Sequence, residues 1–138
     1  MFPLFKPSSS CTLLYVHLPF CTTICPFCSF AVRRDRASAH EPYIKTLLQE
    51  LTLSLDEENP EHLPLEAIYF GGGTPSLFES RAIDQILRTI RDNVLVAPDC
   101  EITLEANPGT FDANKFAQFR DVGVNRLSIG VQSFNNKN

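Results

Sequence analysis

Apolar positions along this chain recur with two alternating periods, one of two residues and one of about 3.6. From Leu13 to Leu18 the residues Leu14, Val16 and Leu18 stand two apart and predict a first strand. A polar stretch leads to Glu41-Pro42, where proline suits the first turn of a helix, and Ile44, Leu47, Leu48, Leu51 and Leu55 give that helix one apolar face. Asp56-Glu-Glu-Asn-Pro60 ends the pattern. Ala67 to Phe70 predicts a short second strand entering Gly71-Gly72-Gly73-Thr74-Pro75, and Ile83, Ile86, Leu87 and Ile90 mark one face of a second helix. The third strand, Glu101 to Glu105, runs into Asn107-Pro-Gly109-Thr110. Thr110 is placed to cap a helix that buries Phe116 and Phe119 and closes at Gly123. Arg126 to Val131 is the fourth strand.

Strand and helix alternate through about four units, which predicts an α/β fold with a parallel sheet and right-handed crossovers, either an open sheet or a (βα) barrel. Leu14, Val16 and Leu18, Ile102 and Leu104, and Leu127, Ile129 and Val131 share one parity and are expected beneath the helices. The other parity is polar: Tyr15 and His17, Thr103 and Glu105, then Ser128, Gly130 and Gln132. A doubly covered sheet is apolar on both faces, so a polar face points to a barrel lumen or a binding cleft. Chemistry in such folds gathers at the carboxyl ends of the strands. Here those ends offer a cysteine cluster, a triple glycine, Glu105 and Gln132.

Composition narrows the class. At 138 residues and 43% hydrophobic content the chain fits one globular domain. Twelve Lys and Arg against sixteen Asp and Glu give a net charge of −4, which provides no overall basic footprint for nucleic acid or anionic membranes. The run Arg33-Arg34-Asp35-Arg36 reads as a solvated loop. No apolar stretch reaches the ~20 residues of a bilayer span, and Met1-Phe-Pro-Leu-Phe-Lys-Pro7 lacks the pattern of a secretion signal, so a cytoplasmic protein is expected.

Five cysteines, three of them in Cys21-Thr-Thr-Ile-Cys25-Pro-Phe-Cys28, point to metal or redox chemistry rather than a disulfide framework. Cys11 and Cys100 stand apart as small packing residues. The trio admits three readings. An iron–sulfur cubane on three thiolates keeps one iron open, with Phe20, Phe27 and Phe30 as apolar cover and Pro19 and Pro26 stiffening the loop. A closed zinc site would draw a fourth ligand from His17 or Cys11. A thioredoxin-like pair of Cys25 and Cys28 would leave Cys21 idle. The triple glycine either opens its backbone to an amino acid moiety or ribose, or makes a tight turn. Glu105 and Gln132 can hydrogen-bond a ligand from the polar face, whereas Tyr15 and His17 suit packing equally well.

Five segments together are recognisable: Tyr15-Val-His-Leu-Pro-Phe-Cys21, Cys25-Pro-Phe-Cys28-Ser-Phe30, Tyr69-Phe-Gly-Gly-Gly-Thr-Pro-Ser76, Leu104-Glu-Ala-Asn-Pro-Gly109 and Gly123-Val-Asn-Arg-Leu-Ser-Ile-Gly-Val-Gln-Ser-Phe134. They resemble the radical S-adenosylmethionine (SAM) proteins of the oxygen-independent coproporphyrinogen III oxidase group, and within it the heme chaperone branch, HemW. The oxidases resemble this sequence up to Cys28 but place a fourth cysteine where Phe30 stands, and they carry a longer N-terminal extension.

The resemblance implies a [4Fe–4S] cluster on Cys21, Cys25 and Cys28, with SAM chelating the fourth iron. It implies SAM contacts from Tyr15, Phe27, Gly72, Gly73, Thr74, Glu105 and Gln132, and places His17 near the cluster. The superfamily's reaction splits SAM into methionine and a 5′-deoxyadenosyl radical. The expected organisation is an N-terminal segment over residues 1–12 and a partial radical-SAM core over 13–138, an open half-barrel, because the family continues past strand four into further units and a C-terminal domain holding its heme-contacting segments. Heme or porphyrin, a heme acceptor protein and a cellular electron donor are the implied partners. Heme handling is the expected function; coproporphyrinogen III oxidation and a small zinc-binding module are the alternatives.

Overall fold

The computed structural model describes residues 12–58, 64–109, 112–131 and 133–135. In chain order its elements are β1 (Leu13–Leu18), β2 (Phe20–Cys21), β3 (Arg33–Arg34), α1 (Ala37–Glu58), β4 (Leu65–Gly72), α2 (Ser80–Asn93), β5 (Val96–Ala106), α3 (Ala113–Asp121) and β6 (Arg126–Ile129), with a 3-10 turn at Pro75–Leu77. Four of the strands form one parallel sheet in the order β1, β4, β5, β6, while β2 and β3 pair separately at the two ends of the cysteine loop. The expected α/β architecture with a parallel sheet is therefore present.

The core lies on one face of the sheet. Val16, Leu18, Ile68, Phe70, Ile102 and Leu104 are buried there, covered by Ile83, Ile86, Leu87 and Ile90 of α2, Ile44 and Leu51 of α1 and Phe119 of α3. The 3.6-residue repeat in α2 puts its three isoleucines and one leucine in one buried stripe within this core. Tyr43 fastens α1 to the end of β1 by donating its hydroxyl to the His17 carbonyl at 2.6 Å.

The apolar parity of β6 departs from expectation. Leu104 and Ala106 pair with Leu127 and Ile129, so these residues do share the core face. Yet β6 ends at Ile129, short of Val131, and Leu127, Ile129 and Val131 are 38%, 46% and 46% exposed, because β6 is an edge strand flanked by an open cleft that α3 lines with Leu127. Phe116 is only half-buried, unlike Phe119.

Element boundaries differ where tertiary contacts override local signals. The first helix starts at Ala37, so Pro42 lies inside it and leaves the Ser38 carbonyl without its usual i+4 donor. The early start is held by His40, which pairs with Asp35 at 2.6 Å and stacks on Phe78 with ring centroids 4.3 Å apart. β4 and β5 are longer than expected; the register shifts between Leu65 and Ala67, where an irregular arm of β5 begins at Val96. The cap of α3 is Asp112, whose carboxylate accepts from the Lys115 N–H at 2.8 Å. Gly123 closes α3 as expected, with a φ of +116° that disfavours any residue with a side chain. Thr110, Gln132, Cys11 and Pro60, and the side chain of Leu55, lie outside the described residues.

Phe70→Ala is expected to cost about 3–5 kcal/mol and Leu127→Ala less than about 1 kcal/mol, read from denaturant midpoints of the two variants.

Candidate metal and cofactor site

The exits of three strands meet at Cys21. Pro19 carries the chain from β1 into the cysteine loop, and the carbonyls of Leu18 and Phe20 accept from the N–H groups of Gly73 and Thr74 at 2.9 and 2.8 Å. A Cβ on Gly73 would stand 2.6 Å from the Phe20 carbonyl oxygen, so only glycine lets the two backbones approach this closely. Thr74, 2% exposed, uses its hydroxyl twice. It accepts from Asn107 Nδ2 at 3.0 Å and donates to Cys21 Sγ at 3.8 Å. The turn after β5 is thereby wired through the turn after β4 to the first cysteine.

The return of the cysteine loop is equally fixed. Arg33 N–H donates to the Pro19 carbonyl and Asp35 N–H to the Cys21 carbonyl, both at 2.8 Å. The Asp35 carboxylate turns inward to His40, whose ring packs against both Phe20 and Phe78, themselves in contact. Between these anchors the described backbone bonds are two local turns, Cys28 N–H to the Cys25 carbonyl at 3.0 Å and Val32 N–H to the Phe30 carbonyl at 2.9 Å.

Cys21 and Cys28 are partly buried and Cys25 is exposed, all as free thiols. Burial pushes the Cys21 thiol above its ordinary pKa; the Thr74 hydroxyl works in the opposite direction, and the nearby Cys28 and Cys25 add to the rise. Soft thiols suit iron–sulfur or zinc rather than hard cations, so the donor set fits the implied cluster in chemistry. Among the described residues no three His, Cys, Asp or Glu side chains are gathered at metal-coordinating distance.

The zinc and thioredoxin readings find less here. His17 Nε2 donates to the Ala31 carbonyl at 2.9 Å, which engages that nitrogen, and Nδ1 faces the Tyr15 hydroxyl at 3.5 Å. The Cys25–Cys28 pair does not open a helix, since α1 begins at Ala37, and so lacks the dipole that activates such thiols. Of the three expected covering rings, only Phe20 is buried; Phe27 and Phe30 are 83% and 68% exposed.

The polar face of the sheet carries a second group. Glu105 accepts from the Tyr69 hydroxyl at 2.8 Å and from the Gly72 N–H at 3.3 Å. Tyr15 lies against Tyr69 with ring centroids 6.0 Å apart and planes 16° apart. Burial first, then the Glu105 contact, raises the pKa of Tyr69, and burial followed by the Glu105 charge raises that of Tyr15. Gly72 has a φ of +112°, and a Cβ there would meet the His17 ring at 2.5 Å. Gly72 and Gly73 thus serve close packing.

Tyr15, His17, Gly72 and Glu105 accordingly share the polar face, Gly73 and Thr74 sit at the loop root, and Gln132 lies outside the described residues. Sequence reasoning missed Tyr69, Asn107 and the Asp35–His40 pair. Extending the two-residue alternation along β4 would have placed Tyr69 beside Tyr15. Asn107 was masked by a turn-forming Asn-Pro-Gly, and His40 by the assumption that the helix starts at Pro42.

The fold and site together are a parallel α/β sheet whose strand exits converge on a loop of three free thiols. The chain belongs to the radical SAM superfamily, whose sequence profile matches residues 15–138. It is 42% identical over 125 residues to anaerobilin synthase of Escherichia coli O157:H7, covering 91% of this chain and 28% of that protein. It is 41% identical over 122 residues to heme chaperone HemW of Escherichia coli K12, covering 88% of this chain and 32% of that protein. The solved structure of coproporphyrinogen III oxidase (HemN) from Escherichia coli, a radical SAM enzyme, matches with a TM-score of 0.77 and 32% identity over 91% of this chain and 29% of its own. The described sheet corresponds to the N-terminal part of that barrel. The chain spans about 30% of the length of the relatives it matches.

Thr74→Val removes the hydroxyl that favours the Cys21 thiolate. Loss of a hydrogen bond worth about 1 kcal/mol predicts about fivefold slower alkylation of Cys21 by iodoacetamide below the thiol pKa, with Thr74→Ser close to wild type; peptide mass spectrometry reads the rates.

Proposed function

We propose that the chain is the cluster- and SAM-binding part of a heme-handling radical SAM protein of the HemW kind. The observation that carries this reading is the Asn107–Thr74–Cys21 chain of side-chain contacts, which ties the cysteine loop to the strand exits beside the polar face. Cys21, Cys25 and Cys28 would hold a [4Fe–4S] cluster; both flanks of the loop are anchored and Cys25 is exposed, so gathering the thiols calls for movement of the loop tip. When bound, the cluster supplies one electron to the sulfonium of SAM.

The other residues bind and orient. Glu105, already oriented by Tyr69 and Gly72, offers an anionic edge to the cationic or hydroxyl-bearing part of SAM. Tyr15 offers a ring face, Gly73 and Thr74 a close backbone, Phe27 an apolar contact and Gln132 an amide. His17 holds the loop's far end through Ala31. Phe30, where the oxidases carry a fourth cysteine, favours heme handling over coproporphyrinogen oxidation, with heme or porphyrin, an acceptor protein and an electron donor as partners in the cytoplasm. No described helix is long and apolar enough to cross a membrane. A second reading, an enzyme of the anaerobilin synthase kind, rests on the 42% identity to that relative and was not anticipated from the sequence.

Anaerobic reconstitution is expected to load about four iron and four acid-labile sulfide per chain, with SAM altering the electron paramagnetic resonance of the reduced cluster. Joint serine replacement of Cys21, Cys25 and Cys28 should abolish loading, and Cys100→Ser should preserve it. Stoichiometric zinc without labile sulfide would contradict the proposal in favour of a structural zinc module.

A further inference from the structure

The arginine run beside the cysteine loop has no part in the site described so far. Arg33 and Arg34 form β3, and Arg34 pairs directly with Cys21 across the two-strand ladder. Backbone bonds on both sides of the pair, Arg33 N–H to Pro19 and Asp35 N–H to Cys21, hold the run in one register. The run is solvent-exposed, as expected from sequence, but Arg33 and Arg34 are held in a short strand rather than a loop. The one acid within it, Asp35, is turned inward onto His40. Arg33, Arg34 and Arg36 are exposed, and none joins an ion pair among the described residues.

This strip stands on a chain whose net charge is −4. Ile24 and Phe30, 47% and 68% exposed, add apolar surface on the adjoining loop. Exposed apolar side chains flanked by unpaired cations suit a small, transient protein interface, with the charge guiding encounter. An acidic partner would meet unpaired positive charge here, next to Cys21.

We propose that Arg33, Arg34 and Arg36 form the docking surface for a small acidic electron-carrier protein bearing a flavin or an iron–sulfur group. The choice of an electron carrier rests on the reading of the cysteine loop as a one-electron centre. On docking, the reduced carrier loses one electron and the centre held by the three thiols gains it, with no bond made or broken in the transfer.

Two measurements on the same chain test this, with a purified acidic flavodoxin as the probe. Calorimetric titration of the metal-free chain should show binding that weakens steeply from low to physiological ionic strength. Joint Arg33→Glu, Arg34→Glu and Arg36→Glu replacement should weaken it at least about tenfold, and the joint lysine variant should retain it. In the reconstituted chain, the charge-reversed variant should slow reduction by flavodoxin while leaving reduction by dithionite unchanged. Salt-independent wild-type binding, or affinity and reduction rates indifferent to the arginines, would overturn the proposal, as would equally tight binding of a single-stranded oligonucleotide through the same residues. Arginine-dependent binding with no cluster on reconstitution would instead leave the surface standing and sink the reading of the cysteine loop.

Discussion

Two backbone hydrogen bonds, from Gly73 and Thr74 to the carbonyls of Leu18 and Phe20, hold the turn after β4 against the root of the cysteine loop. Each contributes about 1 kcal/mol, but their consequence is geometric. They bring the Thr74 hydroxyl to Cys21, and through Asn107 they register the turn after β5 against the same sulfur. Gly73 is the condition for this seam, because any Cβ would collide with main-chain atoms of Pro19 and Phe20, which cannot rotate away.

The same parallel register explains why the two faces of the sheet differ. Residues of one parity sink beneath α1 and α2, while the other parity arrays Tyr15, Tyr69 and Thr103 at one level. Glu105 stands above them, its carboxylate held by Tyr69 and Gly72. Charge on the open face is thus tied down by two donors, and the cysteine loop is tied down from beneath by Asp35, His40 and the Phe20–Phe78 rings. Position at the rim comes from the backbone ladder; orientation comes from a few side chains.

Much of this was legible in the residues themselves. The strict alternation of Leu14, Val16 and Leu18 located β1 to the residue, and the spacing of Ile83 to Ile90 located the buried face of α2. The cysteine spacing and the glycine run named the loop and its neighbour. What stayed hidden depended on contacts distant in sequence. The early start of α1 at Ala37 stayed hidden because, beside the local Asp35–His40 pair, its first turn rests on Phe78, a residue far along the chain. Nothing local in β6 reveals that its apolar residues would be uncovered, because burial depends on a neighbour rather than on alternation. The arginine run is exposed as its composition suggested, but its strand at Arg33–Arg34 stayed hidden because it comes from pairing with β2 across the loop.

The central claim is that three thiols rooted on this seam share one cluster and leave one iron distinct. Mössbauer spectroscopy of the chain reconstituted with iron-57 addresses it directly. The account predicts a cubane spectrum in which added SAM shifts one iron subsite and leaves the other three nearly unchanged. A spectrum indifferent to SAM, or one of isolated iron in a closed thiolate site, would contradict it.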